Sequence, residues 1–296
     1  MMNKVFNLSE ITAVIVLYNT TNLVFKCLDN IIGIKIIIVD NGKNSPVMIN
    51  LIKNKYNVVK YFKFKKNIGF GRACNFAFKY VQTPYTLLIE PDVIIEKSSI
   101  KSLLLTLEKY PNTAITTPRF VDENLKIIDY LGNFQENGKG VVRNKLEENI
   151  NYRLSKNLID GDTCINFCLA AILLINNEII KKVGLFNKKI FLYWEDFDLC
   201  RRLKINKIPV IKSFESTAIH LERKSVKENI INKFIMTVHN DKSAYIYFNV
   251  KKNNSIIFKR IFLYTFRFMT YILIFNVKKS LKNLARLYAI YLYLKK

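Results

Sequence analysis

The chain has 296 residues, of which 50% are hydrophobic and 13% aromatic, so it can bury a sizeable core and wholesale disorder is not expected. Its 47 basic and 23 acidic residues give a formal charge of +24, which favours anionic partners such as phosphorylated substrates or an anionic membrane. The five cysteines show no Cys-x-x-Cys pair, which argues against a disulfide framework and a zinc site. No recognisable nucleic-acid module is present, so nucleic acid is not an expected partner.

The first apolar run, Ile11–Leu17, is typical of a strand that is buried on both faces. It follows Glu10 and lacks the basic flank and the small-residue cleavage site of a secretory signal. We therefore expect a cytoplasmic protein.

Short β-branched runs alternate with helix-length segments through the first part of the chain. This alternation predicts βαβ units, and so an α/β fold in which helices flank a mostly parallel central sheet. The predicted elements, in order, are strand Ile11–Leu17, helix Asn22–Asn30, strand Lys35–Asp40, strand Asn57–Phe64, helix Gly71–Val81, strand Tyr85–Ile89, helix Ser98–Lys109 and strand Ala114–Thr117.

Beyond these elements the pattern weakens and then changes character. Residues 122–160 are polar and predict a long loop or an irregular excursion. The apolar stretch Ile165–Ile175 leads into a helix that begins near Asn176 and stops at Gly184.

The C-terminal region is basic and rich in aromatic residues. Its run Ile261–Phe275 is too short to span a bilayer and contains Arg267. The composition favours a basic amphipathic helix that lies in a membrane interface. A helical subdomain packed on the core is the alternative.

Ligands of parallel sheets bind beyond the carboxyl ends of the strands, where this chain places Asn19, Asp40 and Asp92. The Asp40 carboxylate can accept hydrogen bonds from a pyrimidine imide or a ribose hydroxyl, or it can cap the turn at Asn41-Gly42. Glu90 and Asp92 are two carboxylates two residues apart after a strand, a spacing that can hold a hard cation.

Two further motifs carry chemistry. In the segment from Asn67 to Asn75, the glycines allow the backbone to approach a ligand closely, and the Arg72 guanidinium suits a phosphate or a base carbonyl. The later segment, Gly184-Leu185-Phe186-Asn187 followed by Phe191 to Leu199, places several acids at the start of a helix. Carboxylates in a first helical turn are stabilised by the helix dipole, so these acids can be purely structural.

With the opening strand, these motifs occur in the order found in the inverting glycosyltransferases of family 2, which have the GT-A fold. The chain resembles that family from about Ile11 to His220. The resemblance implies that Asp196 is the general base, with Glu195 as the second candidate, and that Asp92 and His220 hold Mg²⁺ or Mn²⁺. It implies a substrate-binding set of Tyr18, Asn19, Asp40, Asn67, Gly69, Arg72, Glu90 and Trp194.

The sequence departs from the family pattern at several positions. Glu90 stands where Asn or Asp is usual, and Asn187 and Lys188 replace an acidic pair. Ala170 stands where glycine is common, which narrows close approach on the acceptor side. The longer side chain of Glu90 leaves its direct ligation of the metal open, whereas the other departures bear on the choice of acceptor more than on the type of reaction.

The resemblance implies transfer of a sugar, with rhamnose as the expected one, from a UDP- or dTDP-sugar to a glycan or polyprenyl-diphosphate-linked acceptor in surface polysaccharide synthesis. We expect the protein to be peripheral on the anionic inner face of the cell membrane. The expected domains are a catalytic domain at 8–225, with a nucleotide-sugar half at 8–120 and an acceptor half at 121–225, and a helical region at 226–296.

Two other function classes compete with this interpretation. A sugar nucleotidyltransferase would carry a glycine-rich loop with Arg and Lys after the first strand, where this chain has Tyr18-Asn19-Thr20-Thr21. A non-catalytic, basic membrane-binding protein that retains a transferase-like fold is the other alternative.

Overall fold

The structure is a computed structural model that describes residues 7–122, 124, 126–127, 160–221 and 229–295. The predicted loop at 122–160 therefore lies, from residue 128 to 159, outside the described residues. The strands are β1 (Ile11–Leu17), β2 (Lys35–Asp40), β3 (Val58–Lys63), β4 (Tyr85–Ile89), β5 (Val93–Ile95), β6 (Ile115–Val121), β7 (Thr163–Cys164), β8 (Ile172–Asn176) and β9 (Val210–His220). The α-helices are α1 (Leu23–Asn30), α2 (Pro46–Lys55), α3 (Phe70–Phe78), α4 (Lys97–Lys109), α5 (Asn177–Lys181), α6 (Glu195–Ile205), α7 (Ile230–Tyr247), α8 (Ser255–Leu273) and α9 (Val277–Leu294).

The chain divides into two compact units. The first comprises Met1–Phe186 and Asp196–Val226, and the second comprises Asn187–Glu195 and Lys227–Lys296. We call them the sheet unit and the helical unit. The expected functional halves at 8–120 and 121–225 stay predictions.

The sheet unit is built on one nine-stranded sheet with the order β3-β2-β1-β4-β8-β6-β9-β5, in which β7 also pairs with β9. Neighbours among β3, β2, β1 and β4 are parallel, whereas β8 runs antiparallel to both β4 and β6. Because β6 and β9 are parallel to each other, only β5, β7 and β8 oppose the common direction. The predicted α/β fold with a mostly parallel sheet is confirmed.

Apolar side chains cover both faces of this sheet. Along β1, Ile11, Ala13, Ile15 and Leu17 belong to one core cluster, whereas Val14 and Val16 belong to the other. Helices α1, α2 and α4 contribute buried side chains to the first cluster, and α3, α5 and α6 contribute to the second. The two-residue alternation therefore divides one strand between two layers of helices, and this fixes the strand register.

Several elements differ from the sequence prediction. Helix α2 and strand β5 were not predicted: α2 has only three buried residues and is rich in Lys and Asn, and β5 is only three residues long. Within the apolar stretch Ile165–Ile175, only residues from Ile172 onward form a strand. The preceding residues form an irregular segment that is also largely buried, so apolar character alone did not mark the start of the strand.

The helical unit contains α7, α8 and α9, with α9 packed on both of the others. Val238, Ala285 and Ala289 form its buried centre, where the two small side chains allow α7 and α9 to approach closely. Residues 187–195 belong to this unit: the Ser243 hydroxyl donates to the Leu192 carbonyl over 2.8 Å. Among the described residues, no helix is both long enough and apolar enough to cross a membrane.

Candidate active site

The carboxyl end of β2 carries Asp40, whose side chain is 0% exposed. One carboxylate oxygen accepts from the Asn44 amide over 2.6 Å and from the Gly42 N–H over 3.3 Å. The other oxygen accepts from the Tyr61 hydroxyl over 2.7 Å. Burial, together with the Asp40 carboxylate, raises the pKa of Tyr61, so its phenol stays a proton donor. In this conformation Asp40 anchors the turn after β2, and a contact with a nucleotide base stays a prediction.

Asn41 joins this turn to the glycine loop before α3, a role that the sequence analysis did not assign. Its buried side chain accepts from the Ile68 N–H over 2.9 Å and donates to Asn67 Oδ1 over 2.8 Å. Asn67 Oδ1 also accepts from the Gly69 N–H over 2.8 Å, and Gly69 has a φ of 91°, a conformation that glycine adopts without strain. The structure thus brings Asp40, Asn67 and Gly69 into one connected group of loops.

The loop after β1 contacts the same group. Asn19 Oδ1 accepts from the Lys43 N–H over 2.9 Å, and Asn44 Oδ1 accepts from the Thr20 N–H over 2.7 Å. A Cβ atom on Gly42 would lie 2.8 Å from the Asn19 backbone nitrogen, so only glycine permits this approach. Tyr18 and Asn19 are exposed beside it. The loops that follow the neighbouring strands β1 and β2 are therefore held together at one edge of the sheet, where Tyr18 and Asn19 face solvent.

The next strand, β4, is followed by Glu90 and Asp92, which lie close to His220 at the end of β9. His220 Nε2 lies 3.4 Å from Glu90 Oε2 and 3.7 Å from Asp92 Oδ1. One ligand atom from each residue lies within 4.8 Å of the others. Asp92 is buried, whereas Glu90 and His220 are partly exposed. The predicted metal residues Asp92 and His220 are thus brought together, with Glu90 as a third member.

Backbone pairing fixes this triad. Strands β5 and β9 are antiparallel with Val93 opposite His220, and the Leu221 N–H donates to the Asp92 carbonyl over 3.0 Å. Because β5 begins directly after Asp92, the short strand holds the carboxylate beside the imidazole. The three-residue strand β5, which the sequence did not predict, therefore positions Asp92 and His220, which the sequence did predict as site residues.

Asp196 belongs to the same neighbourhood. Burial raises the pKa of Asp196 to about 7, and the negative charge of the Glu90 carboxylate acts in the same direction. The Phe197 and Ala170 N–H groups donate to Asp196 and oppose this rise, the first over 2.8 Å. The Glu90 N–H in turn donates to the Ala171 carbonyl over 2.8 Å. The segment at Ala170 and Ala171 thus links Asp196 to Glu90, with a backbone N–H at the position where the family often has glycine.

The two residues before α6, Tyr193 and Trp194, both have left-handed backbone conformations, with φ of 64° and 70°. Such conformations are uncommon for bulky residues and require support from the surrounding structure. In the helical unit, the Trp194 indole donates to Asn240 Oδ1 over 3.0 Å, and its ring packs on Tyr247 and Phe248. Within the helical unit, these contacts support the left-handed backbone at Trp194.

Other acids and amides of the motifs serve the scaffold. Asp198 is buried and binds Arg202 Nε over 2.7 Å. The Arg202 guanidinium also donates to the carbonyls of Val183, Gly184 and Leu185. Asp198 therefore orients the Arg202 side chain, which binds the turn after α5. The sequence pattern alone does not distinguish this structural role from a catalytic one.

Asn75 on α3 makes a two-way clamp with the backbone of Phe186. Its amide donates to the Phe186 carbonyl over 2.7 Å and accepts from the Phe186 N–H over 2.9 Å. Two motifs that are more than a hundred residues apart are thus joined directly. Arg72, one turn before Asn75, is partly buried on the same helix, and its contact with a nucleotide stays a prediction.

Replacing Asn75 by Ala should lower the free energy of unfolding by about 1–3 kcal/mol, because two backbone groups lose their partner in a partly buried position. Equilibrium unfolding in urea measures the change. Asn30→Ala is the matched control, since its exposed amide makes one bond to the Lys26 carbonyl. If both variants lost the same stability, the clamp would contribute nothing specific.

A family model described as "Glycosyl transferase family 2" matches residues 12–174. The chain belongs to glycosyl transferase family 2. Rhamnosyltransferase WbbL of Escherichia coli (strain K12) is 28% identical over 145 residues, which are 46% of this chain and 54% of that protein. The teichoic acid poly(glycerol phosphate) polymerase of Staphylococcus epidermidis is 26% identical over 164 residues, 49% of this chain and 22% of that protein. The chain thus spans about half or less of the length of these curated relatives.

Solved structures of other glycosyltransferases resemble this family 2 chain in fold. GalNAc-T7 with UDP, GalNAc and Mn²⁺ has a TM-score of 0.55 at 12% identity, covering 71% of this chain and 42% of that one. Residues 1–349 of S. aureus TarS have a TM-score of 0.53 at 11% identity, covering 96% and 91%. At these identities the likeness establishes the fold, and the predicted GT-A fold is confirmed.

Proposed function

We propose that the protein transfers a sugar from a UDP- or dTDP-sugar to a hydroxyl of a glycan or lipid-linked acceptor, with inversion at the anomeric carbon. The observation that carries the proposal is the convergence of Glu90, Asp92 and His220 at the carboxyl edge of the sheet, within electrostatic reach of Asp196. One of three groups that can bind a cation, Glu90, thus interacts electrostatically with a fourth group that can take a proton. A transfer between a diphosphate donor and an alcohol needs both functions.

The triad fits a divalent cation by its chemistry. Two carboxylates suit Mg²⁺ or Mn²⁺, and an imidazole is a common metal ligand. Their ligand atoms are close enough to share one ion. We assign Asp92 and His220 as ligands, with Glu90 completing the set. When bound, such an ion would neutralise the diphosphate leaving group.

Asp196 is the proposed base. Its raised pKa means that it holds a proton more readily than an ordinary carboxylate, yet it is largely ionised above about pH 7. A base whose pKa lies near the working pH combines a useful ionised fraction with a strong tendency to accept a proton. The Phe197 and Ala170 N–H groups fix its orientation. Glu195 stays the second candidate.

The remaining assignments concern the donor and the acceptor. We place the nucleotide against Tyr18, Asn19 and the group of loops around Asp40, with Arg72 toward the diphosphate. Trp194 stays a predicted substrate-binding residue. One curated relative is named as a rhamnosyltransferase and the other as a teichoic acid polymerase, and these names support a function in the synthesis of a polysaccharide or a teichoic acid. We propose rhamnose as the sugar, a polyprenyl-diphosphate-linked acceptor, and a peripheral location on the cytoplasmic face of an anionic membrane.

A nucleotide-sugar panel tests the proposal. The purified chain is heated with UDP- and dTDP-sugars, each with and without Mn²⁺, and the donor that raises the melting temperature is then assayed for nucleoside diphosphate release with glycan acceptors. Cation-dependent stabilisation followed by release supports the proposal. No stabilisation and no release with any pair, or pyrophosphate release from a nucleoside triphosphate, would contradict it.

A further inference from the structure

A continuous apolar stripe runs along the exposed face of α8. Phe258, Phe262, Phe266, Met269 and Leu273 are each more than half exposed, and Phe262 reaches 76%. Their spacing of four, four, three and four residues places them on one side of the helix. The opposite side carries Ile257 and Tyr264, which are buried. A contiguous stripe of this kind marks an interaction surface, unlike apolar residues that are exposed singly.

The turn after α8 extends the stripe through Phe275, whose side chain is 90% exposed. The Asn276 N–H donates to the Tyr271 carbonyl over 2.8 Å, and the Phe275 N–H donates to the Ile272 carbonyl over 2.9 Å. These bonds form a Schellman motif, in which Phe275 has a φ of 53° at the position that usually holds glycine. A phenylalanine is strained there, and its exposed ring gains little packing in return.

The turn is nevertheless well defined, because the Asn276 side chain accepts from the Lys279 N–H over 3.1 Å at the start of α9. The turn therefore fixes the direction in which the side chain of Phe275 leaves the backbone. We call Phe258, Phe262, Phe266, Met269, Leu273 and Phe275 the apolar ridge.

The charges around the apolar ridge have one sign. Residues 251–296 contain eleven Lys and Arg and no Asp or Glu, whereas the rest of the chain has 47 − 11 = 36 basic and 23 acidic residues. A general lysine bias would not remove every carboxylate from this segment. Lys259, Lys278 and Lys279 are exposed beside the ridge. A second copy of this segment would meet like charges, which opposes self-association.

We propose that the apolar ridge inserts into the headgroup region of an anionic lipid bilayer, with α8 lying in the membrane plane. An apolar face with basic residues beside it is the pattern of interfacial helices, and cations near an anionic surface strengthen the binding. The inference deepens the membrane location in the proposed function by naming the surface of the protein that enters the bilayer. It does not depend on sugar transfer, so either proposal can fail alone.

Vesicle sedimentation of the full chain tests the inference. Vesicles of equal parts phosphatidylcholine and phosphatidylglycerol should bind the protein, whereas vesicles of phosphatidylcholine alone should bind it far more weakly. Phe275→Gly should weaken binding about tenfold, and Phe262→Ser with Phe266→Ser should weaken it further. Val47→Ser is the control, because Val47 is 69% exposed on α2, outside the ridge.

The melting temperature separates a binding role from a structural one. Phe275→Gly should keep or raise it, because glycine suits the left-handed position. Gel filtration should show the same elution volume for the wild type and the ridge variants. The inference would be overturned if the protein bound both kinds of vesicle equally, or if the ridge variants bound them as the wild type does. It would also be overturned if the ridge variants failed to fold, or if the wild type formed an oligomer that dissociates in the variants.

Discussion

Asp196→Asn should reduce the turnover number by about 10²- to 10⁴-fold, the usual contribution of a positioned general base. Donor binding should change little, because the substitution keeps the size of the side chain and leaves the triad of Glu90, Asp92 and His220 in place. Rates of nucleoside diphosphate release at saturating acceptor measure the first effect, and calorimetric titration with the donor measures the second.

The same substitution should raise stability at alkaline pH. The pKa of Asp196 is near 7 in the native state and its ordinary value is 3.8, so the native state binds more protons than the unfolded state between these values. Stability contributed at this site therefore falls as the pH rises through that window. We expect Asp196→Asn to gain on the order of 1–3 kcal/mol at pH 8 and a smaller amount at pH 5, where the pH has crossed only part of that window.

Asp198→Asn is the matched control, two residues further along α6. Asp198 binds Arg202, which holds three backbone carbonyls, so its loss should lower stability at both pH values. If Asp196→Asn kept normal turnover, the base would have to be another group. If it lowered stability as Asp198→Asn does, the carboxylate would be part of the scaffold.

Local patterns revealed the parallel part of the fold well. β1, β2 and β4 are mostly apolar, with polar residues at or just after their carboxyl ends, and each is one element of a repeated strand–helix unit. The position of β8 between β4 and β6 was not predictable in this way, because strand pairing depends on distant segments. Nor was β5, since three residues carry too little pattern to be recognised.

The candidate site shows the same division between local and distant information. The strand-end rule found Asp40 and Asp92, and the family resemblance added Asp196 and His220. Neither could show that the Ala170 N–H binds Asp196, because a backbone donor is present at almost every residue and only the fold aims it. Residue identity likewise does not distinguish Asp196 from Asp198, although Asp196 interacts electrostatically with Glu90 and Asp198 binds Arg202.

Asp92→Asn should abolish the response of the protein to Mn²⁺. Asp92 is the most buried member of the triad, and one of its carboxylate oxygens lies 3.7 Å from His220 Nε2. Another side chain therefore has little room to take its place as a ligand. In the wild type, Mn²⁺ at about 100 times its dissociation constant should add about 2.7 kcal/mol to the free energy of unfolding. The variant should show almost none of this gain, and its transfer rate should fall by several orders of magnitude, since a bound cation contributes several kcal/mol to such transition states.

Without a cation, the same variant should be at least as stable as the wild type, because it removes one of two carboxylates that repel each other beside His220. This opposite sign distinguishes loss of a ligand from loss of the fold, and a melting curve in chelator reads it directly. Asp29→Asn is the control, since Asp29 binds Lys55 on the surface and should leave the Mn²⁺ response intact. If Asp92→Asn kept the full response to Mn²⁺, the cation would bind elsewhere and the triad would be only a structural cluster of a histidine and two acids.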